Sequence, residues 1–247
     1  MTDEDVRAMG SMVTGRPRRR LDQALRYDGV VRFLRRQGTT RILEVGSGTS
    51  GLAAFWDGPV TGVDLRFDGT PLPNLTTVKG SAAELPFEDR AYEAVVCVDV
   101  FEHLSPPLRR RAFDELLRVA GRVAWLAFPA GAAAQHADDR IARLARSVGR
   151  DAPGWLQDHL QPGFPAADET LDWPSPGFTR GVRRSLSCAA HVGVVLVEHA
   201  PGGRIVDRLG GADWARRAIL ATPGPPYRLQ QWLLRTGAGD DGQGAIR

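Results

Sequence analysis

Ile42-Leu43-Glu44-Val45-Gly46-Ser47-Gly48-Thr49-Ser50-Gly51-Leu52 is the stretch that decides how the rest of the chain is read. Apolar residues surround one acid, glycines follow, and an apolar pattern then resumes. That order describes a buried strand running into a tight turn and a helix start. Glycine admits left-handed backbone angles and lets a ligand approach without meeting a Cβ. The helix behind such a turn presents unpaired N–H groups to a polar or anionic group. Gly46, Gly48 and Gly51 also satisfy the GxGxxG spacing of dinucleotide sites. Glu44 lies inside the apolar strand, where a carboxylate is costly without partners. A cationic or hydroxyl-bearing ligand at the strand end is the expected partner.

Downstream, Val60 to Leu65 reads as a second strand ending in an acid. Asp64 stands about 20 residues beyond the first glycine, where an acid accepts hydrogen bonds from ribose hydroxyls. Gly69, Pro71 and Pro73 predict a loop over 66–75 where a crossover helix would ordinarily stand. Leu75 to Lys79 is a short third strand. An apolar run then ends at Asp99, and a polar cluster, Glu102-His103, follows it. Ligands in open α/β sheets bind outside the carboxyl ends of the strands.

The run Glu44-Val45-Gly46-Ser47-Gly48 resembles motif I of the class I S-adenosylmethionine-dependent methyltransferases. The resemblance implies that Glu44 meets the methionine amino group and that Gly46, Ser47 and Gly48 pass under the cofactor. It departs from the family at Ser50, where a third glycine is common. Gly80-Ser81-Ala82-Ala83-Glu84-Leu85-Pro86-Phe87 resembles the segment that wraps the adenine, with Ser81 where the family often has Asp and with the Ala82 N–H independent of side chain. Asp89 to Leu104 is similar to the fourth-strand motif of small-molecule members, in which the strand runs into a Glu-His-Leu turn. The implied cofactor site is Glu44, Gly46, Ser47, Gly48, Asp64, Leu65, Ser81, Ala82 and Asp99. The implied fold is a Rossmann-like, doubly wound, seven-stranded, mostly parallel sheet with an antiparallel last strand.

The remaining chain reads as follows. Residues 1–20 are polar and charged and are expected to be a disordered tail, as are residues 237–247. The methyltransferase-like domain spans 21–236. Leu21, Leu25, Val30, Val31 and Leu34 predict a helix closed by Gly38. Pro106 and Pro107 open a second helix that runs to Ala120, and Val123 to Phe128 is a fifth strand. Residues 129–177 form an insertion, with a helix from Asp138 to Val148, expected to act as a lid on the acceptor side. Within it, Gly154 to Pro165 resembles a Trp-Leu-x-Glu-His-Leu-x-x-Gly-Leu-Pro segment of a bacterial subgroup of these proteins. Trp155 and Asp158 are therefore expected at the acceptor, together with Glu102. A helix is predicted over Phe178 to His191, a sixth strand over Val192 to Glu198, a helix over Arg204 to Leu220, and a last, antiparallel strand over Tyr227 to Arg235.

Methyl transfer from a sulfonium is an in-line displacement in which a protein chiefly aligns donor and acceptor. A hydroxyl or amine acceptor also needs a base. His103 and His159 are the candidates, since histidine titrates near 6.5, with Glu102, Asp99 and Asp158 as orienting acids. No histidine or cysteine spacing suggests a metal.

Composition narrows the field further. Hydrophobic residues make up 43% and charged residues 25% of 247, as in an ordinary globular protein. The net charge of +3 rests almost wholly on arginine, with Lys79 the one lysine. Arginine bias alongside abundant Gly, Ala and Pro reflects base composition more than nucleic-acid binding, so no nucleic-acid partner is expected. Cys97 and Cys188 are too few for a disulfide framework. No signal peptide and no membrane span are read, and a cytoplasmic location follows by default. The expected activity is methyl transfer from S-adenosyl-L-methionine to an O or N atom of a small, lipid- or sugar-linked acceptor. Two alternatives stay open: a methyltransferase-like protein that binds cofactor or partner without catalysis, and an NAD(P)-dependent oxidoreductase. Against the second, the chain has no Tyr-x-x-x-Lys pair.

Overall fold

Leu21, Leu25, Val30, Val31 and Leu34 form one buried stripe, and they wind Leu21–Gln37 into helix α1. Gly38 ends it in the left-handed region, at φ 60°, with its N–H returned to Arg35 O. The computed structural model describes residues 20–149, 151, 156, 163–199 and 212–237.

Five parallel strands follow: β1 (Ile42–Val45), β2 (Val60–Asp64), β3 (Leu75–Lys79), β4 (Tyr92–Val98) and β5 (Ala120–Pro129). One 3-10 turn, Gly51–Ala54, stands where a helix was expected after β1, and residues 66–74 are the expected loop. Between β4 and β5 lie a 3-10 turn, Phe101–His103, and helix α2, Pro106–Val119. After β5 come α3 (Gly131–Ser147), β6 (Phe178–Ser187), α4 (Cys188–Glu198), α5 (Asp213–Leu220) and β7 (Pro226–Arg235). The sheet order is β3-β2-β1-β4-β5-β7-β6, with β7 antiparallel to both its neighbours. This is the expected Rossmann-like, doubly wound, seven-stranded sheet, and helix α3 follows its fifth strand.

Two elements differ from the sequence reading. Residues 178–187 are strand β6 and not a helix, and residues 188–198 are helix α4 and not a strand. The spacing of Val182 and Leu186 imitates a helical face, but β7 offers β6 a ladder of nine registered pairs. Its arginines, Arg180, Arg183 and Arg184, suit an edge strand, where charge discourages further pairing. The valine run of α4 imitates a strand. A valine costs a helix less than ~0.7 kcal/mol, whereas burying one contributes ~1.5 kcal/mol or more. Val192, Val194 and Val195 are all buried, and Ser187 caps the helix by accepting from the Ala190 N–H. Packing therefore outweighs propensity.

The sheet buries both faces. On one, α1 covers β1, β4 and β5 through Val30, Val31, Phe33 and Leu34. On the other, α2 covers the same strands through Ala112, Phe113 and Leu116. A third cluster joins the first turn of α1 to α3 and α4 through Leu21, Leu25, Ala134, Ile141, Val192 and Tyr227, and Leu156 packs into it. No helix among the described residues is long and apolar enough to cross a membrane.

Candidate active site

The turn after β1 is built on three close backbone approaches. Gly46 and Gly48 take φ 78° and 52°, and the Gly46 N–H donates to Val63 O over 2.7 Å. A Cβ on Gly46 would stand 2.2 Å from Val100 Cγ2, so glycine there lets the exit of β4 close against the turn. Ser47 is buried against Gly62, its Oγ donating to Gly48 O over 3.0 Å. A Cβ on Gly48 would meet nothing within 4 Å, so the outer side of the turn faces open space.

Glu44 lies beneath this turn and is wholly enclosed. Its Oε2 accepts from the Leu52 N–H at 2.7 Å and its Oε1 from the Tyr27 hydroxyl at 2.8 Å. The partners expected from a ligand are thus supplied by the chain. Burial pushes the Glu44 carboxyl up to about 8, with the Leu52 and Tyr27 hydrogen bonds opposing it and the Asp64 charge adding to it. Burial likewise raises the Tyr27 hydroxyl well above its ordinary range, with Glu44 adding to the shift.

Asp64 stands at the tip of β2 and holds the turn through the Gly48 N–H, 2.9 Å from its Oδ2. Leu65 beside it is 66% exposed, an unusual position for a large apolar side chain. Ser81 follows β3 and its hydroxyl accepts from the Ala83 N–H at 3.2 Å, which turns the chain around Ala82. Open space over Gly48, a carboxylate at the next strand tip and a bare leucine together fit an adenosyl group: a ribose has an acceptor and an adenine has an apolar face.

The exit of β4 is a charged corner. Asp99 adopts φ 56° and is gripped by Arg228 of β7, whose Nη2 lies 3.1 Å from Oδ2 and whose Nη1 also reaches it. Arg26 of α1 adds a third contact at 3.2 Å. Asp99 is therefore placed in an ion network with two arginines that sequence spacing did not single out. A cavity of about 20 Å³, roughly one water, lies among Arg26, Asp99, His191, Tyr227 and Arg228. His191 Nε2 is 3.0 Å from Asp138 Oδ1, which also accepts from the Tyr227 hydroxyl at 3.0 Å. Burial lowers the His191 pKa and Asp138 opposes that shift.

Glu102 follows in the 3-10 turn, fully buried. Neither of its oxygens finds a hydrogen-bond partner among the described residues. Burial, then the Asp99 charge, raises its carboxyl well above the carboxylate range. His103 is on the exposed side of the same turn. Arg109 of α2 pins that turn from behind: its Nε donates to Phe101 O at 2.8 Å and its Nη1 pairs with Glu169 at 3.0 Å. Trp155, Asp158 and His159 lie outside the described residues. No group of three metal-binding side chains occurs among the described residues.

Residues 43–128 match the family model described as the Methyltransferase domain. No curated protein matches the chain. Among solved structures, the YcgJ protein from Bacillus subtilis is similar at 18% identity, covering 85% of this chain and 100% of its own, with a TM-score of 0.48. Magnesium protoporphyrin IX methyltransferase (ChlM) from Synechocystis PCC 6803, solved with bound SAH, is 16% identical, covering 85% of this chain and 81% of its own, with a TM-score of 0.47. A putative sarcosine dimethylglycine methyltransferase from Galdieria sulphuraria is 16% identical, covering 84% of each chain, with a TM-score of 0.45. The match places a methyltransferase domain in residues 43–128, and S-adenosylmethionine is the cofactor that such a domain uses.

Proposed function

We propose that the enzyme transfers the methyl group to an oxygen or nitrogen atom of a small, lipid- or sugar-linked acceptor, at the strand tips between Gly48 and His103. The observation that supports this reading is the open outer side of the Gly48 turn beside Asp64 and Leu65, with an exposed histidine at the neighbouring strand exit. S-adenosylmethionine supplies a methyl group already activated on a sulfonium. Gly46, Gly48 and Asp64 seat it, Leu65 covers the adenine, and Ser81 with the Ala82 N–H meets the adenine edge. Glu44 and Ser47 act from below by holding the turn in shape.

His103 takes the proton of the acceptor hydroxyl or amine. Glu102, whose carboxyl is pushed well above its ordinary range by burial and then by the Asp99 charge, orients the acceptor as a hydrogen-bond partner. Asp99 keeps the exit of β4 in its left-handed turn through Arg228, which positions both residues. The insertion over 129–177 serves as the lid, with α3 as its bedded base, and Trp155, Asp158 and His159 belong to the acceptor site.

Thermal unfolding with S-adenosylhomocysteine and with NAD, side by side, tests the site. Stabilisation by the former alone is expected, and D64N weakens it about tenfold, the loss of one charge-assisted hydrogen bond. An undiminished shift in D64N removes the proposed seat. A labelled-methyl transfer screen over hydroxyl, amine, thiol and carbon acceptors then tests the chemistry, and label appearing only on carbon or sulfur acceptors would overturn it.

A further inference from the structure

A second cleft, of about 370 Å³, opens between α1 and α5 over the β5-β7-β6 edge of the sheet. None of its lining residues belongs to the strand-tip site. Its floor is a cross-strand row: Trp125 on β5 is paired with Trp232 on β7, and Trp232 with Gly181 on β6. The two indoles stack, with centroids 5.7 Å apart and planes 16° apart, and Phe33 of α1 closes against both. A Cβ on Gly181 would stand 2.1 Å from the Trp232 ring, so glycine at that edge position is what lets the indole lie across β6.

The walls are cationic. Arg32 and Arg36 come from α1, Arg183 from β6 and Arg217 from α5, and no carboxylate lines the cleft. Arg32 pairs with Asp28, and Arg217 with Asp213. Arg36 and Arg183 have no ion pair among the described residues. Burial lowers the Arg32 pKa, the Asp213 charge opposes that shift, and the nearby Arg183 and Arg217 guanidiniums add to it. Two polar atoms on this face are also left over. Trp125 Nε1 and Gln230 Oε1 are buried without a hydrogen-bond partner among the described residues, and an orphan of this kind asks for a bound group. Gln230 follows the same face of β7 as Trp232 and sits against Gly29 of the cleft.

Converging arginines, of which Arg36 and Arg183 have no ion pair among the described residues, select an anion, and a row of aromatic faces selects a flat ring. The volume is that of a small-molecule site. We propose that this cleft binds an anionic aromatic molecule, its ring on the Trp125–Trp232 row and its carboxylate, sulfonate or phosphate between Arg36 and Arg183. The site is separate from the methyl-transfer site and does not depend on how that site is read.

Calorimetric titration of the full-length protein with 2-naphthoate, in saturating S-adenosylhomocysteine, tests this. The neutral isostere 2-naphthylmethanol and inorganic phosphate serve as the other two arms. Naphthoate is expected to bind, with both of the others at least tenfold weaker. R36Q and R183Q, changes of exposed side chains that leave the core intact, each weaken naphthoate about tenfold while the response to S-adenosylhomocysteine is unchanged. The proposal is overturned by no naphthoate binding, by equal binding of the alcohol or of phosphate, by competition with S-adenosylhomocysteine, or by unchanged affinity in both variants.

Discussion

The Tyr27 hydroxyl donates to Glu44 Oε1 over 2.8 Å, and this contact fastens helix α1 to the underside of the glycine turn. It ties the first helix to the glycine turn. It also places a carboxyl with a pKa of about 8 in the centre of the fold.

A pH dependence follows from that carboxyl. Its folded pKa is raised above the unfolded value of 4.5, so between 4.5 and about 8 the native state holds a proton that the unfolded chain releases. Glu44's contribution to stability is therefore full below 4.5 and is lost as pH rises through 8, with a slope of up to ~1.4 kcal/mol per pH unit. E44Q keeps the acceptor for Leu52 and removes the titration. Thermal unfolding of E44Q from pH 5 to 8.5 is expected to lose the decline that the parent shows.

Gly51 and Gly48 make a matched pair of tests. A Cβ on Gly51 would stand 2.1 Å from Glu44 Oε2, at φ 38°. Overpacking and left-handed strain together make G51A cost about 3 kcal/mol. G48A meets open space, at φ 52°, and costs only the strain, about 1 kcal/mol. Urea unfolding of the two variants checks the ranking.

Asp99 and Arg228 are 129 residues apart in sequence and paired in the fold. Arg228 is 4% exposed, so D99N leaves a buried guanidinium without its counter-charge. Asparagine tolerates the left-handed backbone at this position, so the change isolates the charge. A loss of about 3 kcal/mol is expected. In a double-mutant cycle, D99N with R228Q should cost less than the sum of the two single changes.

His103 separates activity from stability. Its side chain is exposed, so H103A is expected to shift stability by less than ~0.5 kcal/mol. As the proposed base, its loss lowers kcat by about 10²-fold or more, with the KM for S-adenosylmethionine unchanged. Steady-state kinetics with an active acceptor, beside a melting curve, reads both.

Local pattern determined much of this protein. The glycine turn, the acid at the tip of β2 and the apolar run into Asp99 each announce themselves within about ten residues, because strand, turn and helix start differ in periodicity and in glycine content. Those three stretches marked the parallel strands β1, β2 and β4 and the glycine turn at their tips. What tertiary structure alone decided is which groups meet. Glu44 finds Tyr27 from the preceding helix, Asp99 finds Arg228 from the last strand, and the Trp125–Trp232–Gly181 row is assembled from three strands. The exchange of strand and helix over 178–198 has the same origin. Its spacing imitates the wrong elements, and the outcome was set by the ladder that β7 offers to β6 and by the burial available to the valines of α4. A residue's own spacing records which of its faces is buried, and it carries no record of the partner that buries it.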